Sequence, residues 1–434
     1  MIPKNFLRTV AIERRVSGRE LEVLFLAMEG ESISIIAQKL QIREDAVRKR
    51  LSEVYQKFHI EGKGPVKLTK LQQQLLRAYR DRTDESLSLT VATLNTPSSY
   101  PHDWQNAPDI AFFYGREGEL EILNNWIVER KCRLVSIIGM AGVGKTTLAV
   151  KLAQKIQEQF DRLIWRSLKL KQPLNEFLED LIHTLQPEAQ LVCSTSIELQ
   201  ISQLINYLQT SRCLLVLDSF DALFAPQKMA GTYLPGYENY GTFLRRLGEE
   251  TSRSCILLTS NTRIPEISLL EGLSSPVRSL KLEGLQEFAR LLLAEKGLSG
   301  EAKWDESIDN YRGNPLLLKL AASTILEVFD GNVEEFATAR LFPLATIAFV
   351  REILSKLSSL EKATIVKIAT HQNPLNLTEI VVNLANFPPY QIIGAVESLR
   401  QRSLLEKNSH GFTVSPAIKK AIATEIEEEV ANSS

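Results

Sequence analysis

Apolar residues recur with helical spacing through the first sixty positions: Leu21, Leu24, Phe25 and Met28; then Ile35, Ile36 and Leu40; then Val47, Leu51, Val54, Tyr55 and Phe58. Each set marks one side of a short helix. Gly30 punctuates the first pair and a very short link at 41–43 the second, which is the layout of a helix-turn-helix. Positions 63–82 predict one more amphipathic helix. From 83 to 109 Ser, Thr, Pro and Asn dominate, and Pro97, Pro101 and Pro108 argue against any regular helix or ladder. The stretch reads as a linker.

Beyond it, short apolar runs alternate with helical patterns. Strands are predicted at 133–138, 162–168, 213–217, 256–259 and 277–282, with helices at 146–160 and 242–250 and two more between 168 and 213. Such alternation predicts a parallel sheet with helices on both faces. Positions 285–336 are wholly helical in pattern, and 344–430 holds short helices with a hairpin around 404–414, which suits a winged helix. No internal repeat of 20–50 residues is present, which excludes a solenoid or propeller within this chain.

The length of 434 residues predicts several domains rather than one core. A composition 44% hydrophobic and 24% charged is that of an ordinary globular protein. Residues 1–15 lack the apolar stretch of a signal peptide, and no run reaches a membrane span, so a cytoplasmic location without membrane contact is expected. Four cysteines (Cys132, Cys193, Cys213, Cys255) and five scattered histidines show no metal-ligand spacing, so reduced buried thiols and no structural metal are expected. Charge is segregated: residues 1–82 carry 17 Lys+Arg against 10 Asp+Glu, a formal +7 that leaves −8 for the rest. A polyanion contact, if there is one, belongs to the front end.

One motif carries specific chemistry. Gly139-Met140-Ala141-Gly142-Val143-Gly144-Lys145-Thr146-Thr147 satisfies G-x-x-x-x-G-K-[ST] between a predicted strand and a predicted helix. Its glycines let backbone N–H groups turn inward toward a β-phosphate, at the positive end of the following helix. Lys145 is expected to reach the β- and γ-phosphates and Thr146 to give its hydroxyl to Mg²⁺. Downstream, Leu214-Leu215-Val216-Leu217-Asp218 is an apolar strand ending in a carboxylate that would hold Mg²⁺ through water. The expected cofactors are ATP or ADP with Mg²⁺. Hydrolysis needs a group that orients water. Ser219 stands where many such ATPases have an acid, so Asp221 is the nearest substitute and slow turnover is expected.

From about Phe112 onward the chain resembles the NB-ARC group of STAND signalling NTPases, which includes apoptosis regulators, plant disease-resistance proteins and many bacterial proteins. The resemblance rests on Phe113-Tyr114-Gly115-Arg116-Glu117-Gly118-Glu119-Leu120, Leu163-Ile164-Trp165-Arg166, Leu257-Leu258-Thr259-Ser260 and Gly313-Asn314-Pro315-Leu316, in that order. It implies an adenine and ribose site at Tyr114 and Arg116, with Pro315 near the base. Two departures stand out. Asn261 follows the Thr-Ser pair where the family usually has a γ-phosphate-sensing arginine, with Arg263 two positions later; and Val414-Ser415-Pro416 replaces Met-His-Asp.

Residues 16–60 are similar to the helix-turn-helix of LuxR-type regulators, in Ser17-Gly18-Arg19-Glu20-Leu21-Glu22-Val23-Leu24 and Leu51-Ser52-Glu53-Val54-Tyr55-Gln56-Lys57-Phe58, and to the amino-terminal domain joined to such ATPases in cyanobacteria. The recognition helix would run over 44–58, with Arg43, Arg48, Lys49 and Arg50 available to phosphates or base edges. Arg43 replaces the usual Ser/Thr cap, and Glu44 and Asp45 would oppose a polyanion, so a protein partner is the equal alternative.

The expected architecture is therefore multidomain α/β plus α: a helix-turn-helix domain (1–82), a linker (83–111), a parallel-sheet P-loop NTPase core (112–283), a helical domain (284–340) and a winged-helix-like domain (344–430). The expected function is a nucleotide-controlled switch, opening or forming a homo-oligomer in the ATP state. A DNA-binding regulator tuned by nucleotide and an adaptor that keeps ADP permanently are the alternatives.

Overall fold

The computed structural model describes residues 14, 16–28, 33–40, 42–58, 60, 71, 102–110, 112–186, 196–272, 274–339 and 342–433. Two compact units divide the chain at 97/98. The predicted helix over 63–82, apart from Leu71, and the linker up to 101 lie outside the described residues.

In the amino-terminal unit three helices, α1 (Gly18–Met28), α2 (Ile33–Lys39) and α3 (Glu44–Lys57), follow the predicted spacing. Val47, Leu51 and Val54 of α3 are buried against Val23, Leu24, Ala27 and Ile36. Ser17 and Glu20 exchange backbone and side-chain hydrogen bonds in a capping box that starts α1. Burial raises the Glu20 carboxyl, but the Lys57 ammonium at 2.5 Å and the Ser17 donors prevail and hold it at about 2.

The second unit begins with β1 (His102–Asp103), α4 (Glu117–Asn124, continued by a π turn Asn125–Glu129) and β2 (Leu134–Ile138). There follow α5 (Lys145–Ile156), β3 (Arg162–Ser167), α6 (Leu174–Leu185), α7 (Ile197–Thr210), β4 (Cys213–Asp218), α8 (Asn239–Glu249), β5 (Cys255–Ser260), α9 (Pro265–Leu270) and β6 (Val277–Lys281). The strands form one parallel sheet in the order β1-β3-β4-β5-β2-β6. Alternation along each strand sends side chains to opposite faces. Val135, Ile137, Leu214, Val216 and Leu257 pack with Leu148 and Leu152 of α5, while Leu134, Leu215, Leu217, Ile256 and Leu258 pack with Phe177 and Leu181 of α6. Both faces are covered, so the central strands β2, β4 and β5 are buried along their whole length, while the edge strands β1 and β6 carry polar residues.

The expectation of no ladder before 110 is corrected here. His102 and Asp103 pair with Leu163 and Ile164 at the sheet edge, Trp104 stacks on Trp165, and Asp103 binds Arg166 at 2.8 Å. Pro101 precedes this ladder and Pro108 follows it, so neither removes a bond from it.

The helices α10 (Ala289–Glu295), α11 (Trp304–Asn310), α12 (Pro315–Val328) and α13 (Val333–Ala339) come next. Then follow α14 (Leu344–Ser355), α15 (Ser359–Thr370), α16 (Leu377–Asn383), α17 (Pro389–Gln401), the antiparallel hairpin β7 (Glu406–Asn408) with β8 (Gly411–Thr413), and α18 (Pro416–Ser433). Phe412 also exchanges backbone hydrogen bonds with Leu375, adding an isolated bridge to the hairpin. Buried side chains from Leu285 to Ile422 form one continuous cluster, so the two carboxy-terminal stretches, expected as separate modules, share a core. No helix among the described residues is long and apolar enough to cross a membrane.

Candidate functional site

The loop from β2 to α5 sits at the carboxyl ends of the central strands, where open parallel sheets place their ligands. Gly142 has φ of +82°, and an added Cβ would stand 2.7 Å from Cβ of Leu316, so conformation and packing both demand glycine. Gly144 caps α5, and the first intrahelical bond is Leu148 N–H to Gly144 O. The amides of Lys145, Thr146 and Thr147 thus precede the helical ladder and carry the positive end of its dipole.

Lys145 is buried, and its ammonium donates to the carbonyls of Gly139 (2.9 Å) and Met140 (3.0 Å) and to Oδ1 of Asn261 (2.6 Å). Burial lowers it to about 8, with Asp221 and Asp218 acting in the opposite direction. Asn261 is itself fixed: its backbone N–H and its Nδ2 each donate to a different carboxylate oxygen of Asp221 at 2.8 Å. A chain of contacts therefore runs Asp221, Asn261, Lys145.

Asp218 ends β4 and is 3% exposed. Its Oδ1 accepts the hydroxyls of Thr146 and Thr259, both at 2.7 Å, and its Oδ2 accepts Ser219 Oγ at 3.2 Å. A threonine at the head of α5 and a carboxylate at the end of β4 stand within one hydrogen bond of each other. That is the donor set a Mg²⁺ bound to phosphates requires, two protein oxygens with the rest from phosphate and water. The amides at the head of α5, a buried ammonium and this oxygen pair fit a Mg²⁺-nucleotide.

Arg116, 6% exposed and at φ of +73°, gives its guanidinium to Glu119 (2.7 Å), the Val143 carbonyl (3.3 Å) and the Glu283 carbonyl (2.6 Å). It clamps the loop to the end of β6. Tyr114 stacks on Phe112 and packs against the carboxy-terminal core. Pro315 occupies the first turn of α12 behind Asn314, whose Oδ1 caps that helix and whose Nδ2 donates to Ala141 O at 3.0 Å. Leu316 N–H reaches Gly142 O at 3.3 Å. The start of α12 is thus hydrogen-bonded to the loop itself. Gly284 permits this approach, since a Cβ there would lie 1.8 Å from the Arg312 carbonyl.

The structure brings Gly139, Gly142, Val143, Gly144, Lys145, Thr146, Thr147, Asp218, Asp221, Arg116 and Pro315 to one end of the sheet. Sequence reasoning missed Thr259, Asn314 and the role of Asn261; the signal was their place inside or beside the family segments. Arg263 points its charge at Glu271 at 2.5 Å rather than at Lys145's surroundings. Ser415 accepts the Ile418 amide and caps α18. A cavity of about 1140 Å³ adjoins the loop, lined by Met140, Val143 and Asn314 on one side and Arg400, Leu404 and Ser415 on the other. It neighbours the loop, but neither Lys145 nor Thr146 lines it. In the other unit, Arg48 is held by Glu44 (2.8 Å) and Asp45 (3.1 Å), while Arg43 and Lys49 are exposed and Arg50 half-buried.

Residues 116–221 match the NB-ARC domain. The chain is 37% identical over 350 residues to an uncharacterized WD repeat-containing protein of Nostoc sp. strain PCC 7120, covering 77% of this chain and 28% of that protein. It is 31% identical over 140 residues to a disease resistance protein of Arabidopsis thaliana, covering 31% of this chain and 16% of that one. The chain thus spans little more than a quarter of the first relative's length and less of the second's. In fold it is similar to a Walker-type ATPase of Pyrococcus abyssi, with a TM-score of 0.52 at 15% identity, over 72% of this chain and 96% of that one.

Proposed function

We propose, on the premise that this chain carries an NB-ARC domain of the P-loop NTPase class, that it is a signalling switch read by ADP or ATP with Mg²⁺. The observation that carries this reading is the 2.7 Å bond between Thr146 and Asp218, beside a buried Lys145 whose partners are only carbonyl and amide oxygens. Lys145 exchanges those oxygens for phosphate oxygens, the loop amides hold the β-phosphate, and Thr146 and Asp218 hold Mg²⁺. Mg²⁺ neutralises phosphate charge when bound. Arg116 acts by fixing the loop through its bonds to Glu119, Val143 and Glu283; Tyr114 and Pro315 flank the base.

Slow hydrolysis follows from the same geometry. Ser219 cannot serve as a base, and both carboxylate oxygens of Asp221 are engaged by Asn261. The switch follows from the bonds between the loop and α12, through which a change at the phosphates moves the shared carboxy-terminal core, with 344–430 acting as the winged helix. The Nostoc relative contains WD repeats, and a repeat sensor acting on this switch is part of the proposal. For the amino-terminal unit a protein partner is favoured over DNA, because Arg48 is neutralised within its own helix and Glu44 and Asp45 stand at the helix start.

Two outcomes are expected. Light scattering of the full chain should show a small species with Mg²⁺-ADP and a larger one with a slowly hydrolysed Mg²⁺-ATP analogue; identical mass with both, in protein that binds both, removes the switch. The second concerns pH. Between about 8 and 10.5 the unfolded Lys145 keeps a proton that the folded one has lost, so this group costs stability fully below about 8 and stability rises with pH through that window. Phosphate binding needs the ammonium, so ADP affinity should fall above about pH 8, by up to about tenfold per pH unit. Calorimetry from pH 7 to 9.5 in buffers of different ionisation enthalpy measures it, and constant affinity with no proton uptake would place the titration elsewhere.

A further inference from the structure

The segment 225–234, which follows the turn Phe220–Leu223 after β4, folds back on itself through Ala225 N–H to Thr232 O (2.8 Å) and Leu234 N–H to Leu223 O (2.8 Å). Its tip lands on the turn after α14 and on the carboxyl end of α17. Gln227 N–H donates to Lys356 O (2.8 Å), Ala230 N–H to Ser398 Oγ (2.6 Å), and Arg402 Nη2 to Lys228 O (2.6 Å). Behind these contacts lies Glu361, fully buried. A buried carboxylate is tolerated only when its oxygens are satisfied, and here Ser358 N–H, Ser398 Oγ–H and Arg402 Nε–H all donate to it.

This arrangement gives Ser398 and Arg402 one direction each. A serine hydroxyl has one proton; given to Glu361, it leaves only lone pairs for the strap, which match the Ala230 amide. Arg402, held at Nε by Glu361, presents Nη2 to the Lys228 carbonyl. Glu361 therefore organises a receptor for NTPase backbone.

A second segment ends at the same place. Arg263 N–H donates to Gln401 O at 2.9 Å, two residues after Asn261. Asn261 holds Lys145, and Asp221, in the turn that leads into the strap, holds Asn261. Both segments that flank the Lys145 ammonium thus terminate on the carboxyl end of α17.

We infer that Ser398, Gln401 and Arg402, organised by Glu361, form a latch that holds the 225–234 strap and the Asn261–Arg263 segment while Lys145 rests on Asn261. Transfer of Lys145 to a phosphate releases Asn261 Oδ1, leaving that residue held by Asp221 alone, and loosens both attachments. The inference rests on the switch reading for its trigger, but the latch itself is a property of the nucleotide-free fold.

The test uses the full chain with Ser398→Ala, and Arg402→Gln as a second variant should the first lose its fold. Backbone hydrogen exchange without nucleotide should show the Gln227 and Ala230 amides exchanging at least about tenfold faster in the variant, while α5 is unchanged. Affinity for a fluorescent ADP should rise about threefold to tenfold, because binding no longer has to loosen the latch. Unchanged exchange at 225–234 overturns the latch. Faster exchange with unchanged ADP affinity overturns its control of the nucleotide site. Failure of the wild-type chain to bind the fluorescent ADP removes the trigger together with the switch reading, and exchange alone then decides whether the latch exists.

Discussion

Lys145→Ala is expected to weaken binding of both ADP and ATP by at least about 100-fold, the loss of about 2.7 kcal/mol in charge-assisted hydrogen bonds to phosphate. The nucleotide-free fold should survive. Lys145 contacts only the Gly139 and Met140 carbonyls and Asn261, which sit in the loop region, and its burial lowers its own ammonium. Removing it therefore relieves a desolvated charge even as it strands Asn261 Oδ1. Thermal unfolding should shift little without nucleotide, and the upward shift that ADP gives the wild-type chain should vanish. An unchanged ADP shift in the variant would move the phosphate site elsewhere.

Asp218→Ala has the second largest expected effect, of a different kind. Nucleotide affinity without Mg²⁺ should stay within about tenfold of wild type, since Asp218 touches no phosphate in the proposed arrangement. Mg²⁺-dependent hydrolysis should fall by at least about 100-fold. A structural cost accompanies it: Thr146 and Thr259 both lose their acceptor, which destabilises the fold by about 1–3 kcal/mol. Asp218→Asn separates the two effects by keeping an oxygen for those hydroxyls. Equal loss of binding and hydrolysis in both variants would give Asp218 a purely structural role.

How much of this could be read beforehand depends on how local each feature is. The phosphate loop is nine consecutive residues whose glycines, lysine and threonine each have their own reason, and the central strands β2, β4 and β5 are mostly apolar runs. Both are visible in a linear chain. The edge strand β1 is not, because two residues carry no periodicity; only Trp104, apolar in a polar stretch, hinted that 102–110 belongs to the core. The Asp221-Asn261-Lys145 chain is also hidden, since it joins the ends of β4 and β5 and the head of α5, separated by 40 and 116 residues. Arg116 was placed by resemblance alone, and its bonds to Glu119, Val143 and Glu283 join segments too far apart in the chain for that placement to foresee. Charge counting does not show pairing either: in the amino-terminal unit Arg48 adds to a basic total while it is bonded to Glu44 and Asp45 of its own helix.

Calorimetric titration of the full chain with ADP and with ATP, each with Mg²⁺, bears most directly on the claim that inward amides and Lys145 form a phosphate grip. The account predicts one saturable site per chain for each nucleotide, abolished by Lys145→Ala. An absence of binding heat at several temperatures, on material that unfolds cooperatively, would contradict it.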